Sequence, residues 1–115
     1  MQVQEKHDFI KRKAKEHIPE TSEKIAWSVH AVKKLRLDGL KKNDVEISLR
    51  ECEIIEDYSM KGRSLPGCLV LSFITSDPIH AVIAIDKAYD RIFIVTVYKP
   101  SSARWQNDWK TRRRK

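Results

Sequence analysis

Residues 79–98 read IHAVIAIDKAYDRIFIVTVY, and the fold is decided there. Two runs rich in Ile, Val, Phe and Tyr flank Lys87-Ala88-Tyr89-Asp90, which predicts an antiparallel hairpin of two strands, 79–86 and 91–98. A hairpin symmetric about Tyr89 sets Asp86 opposite Ile92 and His80 opposite Tyr98. Directly opposed residues share a face, with Cβ atoms about 4.5–5.5 Å apart. An imidazole and a phenol therefore meet at the open end of the hairpin. A slip of one residue would put them on opposite faces.

Upstream of the hairpin, CLVLSFIT (68–75) lies between Pro66-Gly67 and the turn signal Ser76-Asp77-Pro78, and CEIIEDY (52–58) precedes it. Both read as strands, which makes four. The N-terminal half has helical texture. Residues 4–17 are charged and meet no breaker before Pro19. A second helix is expected over 22–38, capped by Ser22 or Thr21, with Ile25, Val29, Val32 and Leu35 at helical spacing and Gly39 as its stop. Asn43 or Asp44 opens a short third helix to about Arg50, with Val45 and Leu49 on one face. Helices followed by strands give an α+β fold: N-terminal helices packed on a four-stranded, mainly antiparallel sheet. One domain is expected over 1–110, with 111–115 as a basic tail.

Composition narrows the function classes. A chain of 115 residues has room for one core. No apolar run approaches the ~20 residues of a membrane helix, and MQVQEKHDFIKRKAK has no apolar signal segment. Two cysteines, Cys52 and Cys68, are too few for a disulfide scaffold or a cysteine zinc site, and they fit a reducing, cytoplasmic setting. The net charge of +7 is uneven: residues 1–98 sum to +1 and residues 99–115 to +6. That cationic end, with Arg112, Arg113 and Arg114, attracts polyanions, or else is a solubilising terminus.

The candidate site residues each have a plain structural alternative. His80 at the hairpin mouth is either a proton-transfer group or a strand-end histidine bonded to backbone. Tyr98 is either its hydrogen-bonding partner or an edge-of-core aromatic. His30 and Lys34, spaced i, i+4, share a helix face directed away from Ile25, Val29 and Val32, toward a groove or simply toward solvent. Arg104 beside Trp105 suits a phosphate and a stacked base, unless Trp105 anchors the tail to the sheet. His7 and His17 read as surface residues. The four histidines match no zinc spacing, and no Gly-rich phosphate loop, nucleophile elbow or paired-carboxylate pattern is present, so neither metal nor cofactor is expected.

An ordered series of short motifs resembles the DUF4258 family of small bacterial proteins. The series comprises Ser28-x-His30-Ala31, Asp44-Val45, Glu53-Ile54-Ile55-Glu56-Asp57-Tyr58, Pro66-x-Cys68-Leu69-Val70-Leu71, Ile79-His80-Ala81-Val82, and Ile94-Val95-Thr96-Val97-Tyr98-x-Pro100, with Trp105 beyond. The resemblance spans roughly residues 22–109. It implies a RelE/ParE-like toxin fold, metal-independent cleavage of mRNA, RNA as substrate and a cognate antitoxin as partner. His80 and His30 would then share acid–base work, Lys34 and Arg104 would hold phosphate, and Tyr98 would orient or donate. Lys34 stands where the family commonly carries arginine, and a lysine offers phosphate a point charge rather than a bidentate fork. The other reading is a non-catalytic RNA- or protein-binding module on the same scaffold, with affinity supplied by the tail.

Overall fold

The computed structural model describes residues 1–114. The first helix, α1 (Val3–Glu16), starts with a capping box in which the Gln2 backbone N–H donates to Glu5 Oε1 at 3.2 Å. Its buried face carries Phe9, Ile10 and Ala14. The chain then turns at Pro19 and Glu20 into a short strand, β1 (Ile25–Trp27), before α2 (Val29–Leu37). A third helix, α3 (Lys42–Ser48), runs into a 3-10 turn at Leu49–Glu51. Four further strands follow: β2 (Glu53–Tyr58), β3 (Gly67–Ile74), β4 (Asp77–Asp86) and β5 (Arg91–Tyr98).

The α+β class is as expected, but the sheet has five strands rather than four, in the order β1-β5-β4-β3-β2. The fifth comes from the stretch expected to open the second helix at residue 22. Ile25–Trp27 instead pairs parallel with Ile92–Ile94, covering the outer edge of the hairpin. The helix starts at Ser28, whose Oγ accepts the Ala31 N–H (2.9 Å) and donates to the Val95 carbonyl (2.7 Å). That one hydroxyl caps the helix and ties it to the sheet. The expected apolar stripe is corrected with it: Ile25 is a strand residue, Val29 is 76% exposed, and α2 enters the core through Ala31 and Leu35. The third helix likewise begins at Lys42, one residue before the expected Asn43 cap.

Strand alternation divides the sheet into two faces. One face carries Cys68 and Val70 from β3, Ile79, Ala81, Ile83 and Ile85 from β4, and Ile92, Ile94 and Val97 from β5. The three helices pack here with Phe9, Ile10, Ala14, Ala31, Leu35, Val45 and Leu49, forming the main core. The other face, called the open face below, carries Glu53, Glu56 and Tyr58 from β2, Leu69 and Leu71 from β3, His80 from β4, and Tyr98 from β5, as the cross-strand register requires.

No helix among the described residues is long and apolar enough to cross a membrane.

Candidate functional site

The hairpin register places His80 opposite Tyr98, as the sequence predicts, but by a different route. Near the turn Asp86 pairs with Arg91 and Ile85 with Ile92, one residue off the symmetric arrangement. A bulge beside Val95 inserts an extra residue and restores the expected pairing at the mouth. The Tyr98 hydroxyl lies 3.2 Å from His80 Nδ1, and the Trp109 carbonyl lies 2.7 Å from Nε2. A carbonyl only accepts, so Nε2 carries the proton and Nδ1 accepts from the phenol.

His80 is fully enclosed, with Trp105 packed edge-on at 4.3 Å between ring centroids. Burial holds its pKa below the ordinary imidazole range, so the ring is neutral near pH 7. Burial also raises the Tyr98 phenol above its ordinary range, so that hydroxyl keeps its proton.

The cover over this face is the C-terminal segment. After Pro100 the chain crosses from β5 over β4 toward β2. Trp105 is 2% exposed and anchors the crossing on His80. A tight loop follows, in which Trp105 and Arg112 form a bridge, the Gln106 N–H donates to the Thr111 carbonyl (2.8 Å), and the Arg113 N–H donates to the Arg104 carbonyl (2.8 Å). Asp108 accepts from the Lys110 and Thr111 backbone N–H groups inside it. At the far edge Lys110 pairs with Glu53 (2.8 Å), and Arg112 makes a two-pronged contact with Glu56 (2.7 and 3.0 Å). That fork holds the Glu56 carboxyl below its ordinary range.

Arg104, Arg112, Arg113 and Arg114, with Ala103, line an open hollow of about 420 Å³. Arg112 stacks over Trp105 (4.6 Å), and Arg113 Nε donates to the carbonyls of Ser102 and Trp105. Lys115, part of the expected basic tail, lies outside the described residues.

His30 and Lys34 do not join this group. Both stand on α2, which packs on the helix face of the sheet, whereas His80 and Tyr98 project from the open face. His30 is exposed and Lys34 half-buried. The expected convergence of two imidazoles, an ammonium and a phenol therefore does not form. In its place the open face gathers Glu56, Tyr58, His80, Tyr98, Trp105 and Arg112. The signal for Glu56 and Tyr58 was their i, i+2 spacing in a strand, which set both on one face, but nothing local named that face.

His17 is not a surface residue. It is 7% exposed, and its Nδ1 accepts the Lys24 N–H at 2.9 Å. Nε2 therefore points its proton at Glu46 Oε1 (3.3 Å), while Trp27 Nε1 donates to Glu46 Oε2 (2.9 Å). This polar joint locks α1, β1 and α3 together. His7 is half-buried and donates to the Cys52 carbonyl (2.9 Å). Cys52 and Cys68 are buried free thiols whose pKa burial pushes up to about 12, so they act as apolar packing.

Residues 27–99 match the family model described as "Domain of unknown function (DUF4258)". The chain belongs to the DUF4258 family. The matched stretch runs from Trp27, the last residue of β1, through α2, α3 and β2 to β5, so His30, Lys34, Glu56, His80 and Tyr98 are all residues of the DUF4258 domain. Outside the matched stretch lie α1, the turn that leads into β1 with Ile25 and Ala26, and the C-terminal segment that covers the open face. No curated protein and no solved structure matches the chain.

Proposed function

We propose that this DUF4258 protein is a toxin-type, metal-independent endoribonuclease of RelE-like architecture, acting on mRNA at the open face of its sheet. The observation that carries this reading is the Tyr98–His80 pair beside Arg112 and Glu56, within reach of an arginine-lined hollow. The chemistry needs three things: a base for the ribose 2′-OH, an acid for the departing 5′ oxygen, and cations for the phosphate. With the Trp109 carbonyl moved away, neutral His80 can carry its proton on Nδ1 toward the Tyr98 oxygen and present Nε2 as the base. The 2′ oxygen then bonds to phosphorus and the bond from phosphorus to the 5′ oxygen breaks. The leaving oxygen takes a proton from Tyr98 or water, giving a 2′,3′-cyclic phosphate and a 5′-OH. Arg104 and Arg112 to Arg114 hold the phosphates. His30 and Lys34 have no part in this step. A cognate antitoxin is the natural partner of such an enzyme, and both would work in the cytoplasm.

The test is incubation of the full chain with RNA in EDTA. Cyclic-phosphate ends are expected, with the rate falling at least a hundredfold in His80→Ala. Absence of cleavage by folded protein in excess overturns the reading, and unchanged cleavage by His80→Ala removes the histidine from the chemistry. A second reading, a non-catalytic RNA-binding module, draws on the enclosure of His80 and the use of both its nitrogens within the protein. RNA binding that weakens steeply with salt, without product, would select it.

A further inference from the structure

The enclosure of His80 suggests how access to the open face is controlled, an inference that rests on the reading of this face as RNA-contacting. We infer that residues 101–114 are an electrostatic clasp: RNA phosphate competes with the Glu56 carboxylate for Arg112, and phosphate that wins it releases the segment and uncovers His80.

The contacts fastening the segment to β2 are of a kind that phosphate can replace. The Arg112 and Glu56 side chains are 59% and 26% exposed, and those of Lys110 and Glu53 are 48% and 53% exposed. Pairs this wet are individually weak and screened by salt. A phosphodiester offers a guanidinium the same pair of acceptor oxygens as a carboxylate. Arg112 also borders the hollow shared with Arg104, Arg113 and Arg114, so a phosphate drawn there arrives beside the contested group.

The same residues link the fastening to the lid. Arg112 stacks on Trp105 and bridges to it, Arg113 holds the Trp105 carbonyl, and Trp105 seals the face of His80. One residue of this loop is held in an unfavourable backbone state. Trp109 has φ 61°, in the left-handed region that bulky residues avoid, and it is the residue whose carbonyl caps His80 Nε2. Opening the clasp relieves that strain and frees the ring nitrogen together.

The test uses the full chain and a 2′-O-methyl oligoribonucleotide, which binds like RNA but cannot be cleaved through its 2′ oxygen. Amide hydrogen exchange of residues 104–113 is followed alongside binding anisotropy. Exchange in this segment is expected to quicken when the oligonucleotide binds, while β3 to β5 stay protected. Glu56→Gln is expected to quicken it without ligand and to tighten binding about fivefold. Arg112→Gln is expected to quicken it without ligand but to weaken binding. Oligonucleotide binding that leaves the segment as protected as before, in both wild type and Glu56→Gln, overturns the clasp and leaves RNA binding standing. Failure to bind at low salt overturns clasp and RNA reading together. Binding with loosening, but no cleavage of unmodified RNA, upholds the clasp and removes only the nuclease chemistry.

Discussion

The two faces of the sheet are built on different principles. The helix face is a dry interior in which Ile79, Ala81, Ile83, Ile85, Ile92 and Ile94 meet three helices. The open face is covered by one irregular segment with a single large apolar anchor, Trp105, and fastened at its rim by Arg112–Glu56 and Lys110–Glu53. Packed apolar surface carries no charge for salt to screen or acid to titrate, whereas a rim of exposed ion pairs responds to both. One sheet thus has a side suited to holding the fold and a side suited to opening.

Substitutions on each face should separate these roles. Ile83→Ala removes a fully buried side chain from the main core and should cost about 2–5 kcal/mol, lowering the melting temperature of the whole protein. Trp105→Ala removes more atoms, yet the open face can give up its cover without unfolding. Its cost of about 3 kcal/mol should appear mainly as faster exchange in 101–113, with a smaller drop in melting temperature than Ile83→Ala produces. An equal drop for both would mean that the two faces form one cooperative unit.

Acid supplies a third, smaller effect. Burial lowers the pKa of His80, whose closed-state neighbours include Tyr98, Glu56 and Arg112, and Arg112 lowers that of Glu56. In both cases the released or unfolded chain binds protons more readily than the closed one. Closed-state stability is therefore full above about pH 6.5, falls as pH drops below that ordinary imidazole value, and falls again below the ordinary carboxylate value near 4.3. Tryptophan fluorescence between pH 7.5 and about 2 should follow both steps. His80→Phe should abolish the upper step and keep the lower one, and an unaltered upper step would assign it to another group.

The places where sequence reading fell short share a cause. The His80–Tyr98 pairing was legible because hairpin register is local, though the Val95 bulge that secures it was not. The strand at Ile25–Trp27 was hidden because its partner lies some 67 residues away at Ile92–Ile94, and helical spacing in the same stretch matched a different structure. His17 looked solvated beside its charged neighbours, and only the approach of α3 supplies the Glu46 carboxylate that lets it be buried.

By itself, the sequence determined that three helices precede the main strands, the central hairpin with its imidazole–phenol pair, and the concentration of positive charge beyond Tyr98, since each is set by periodicity, turn chemistry or composition over a few neighbouring residues. Only the tertiary structure decided that His30 and Lys34 lie across the sheet from that pair, that Glu56 faces it, and that the basic end folds back to enclose it. Those outcomes depend on which side of a strand meets the helices, and the energy that settles this belongs to the assembled core and to no single segment.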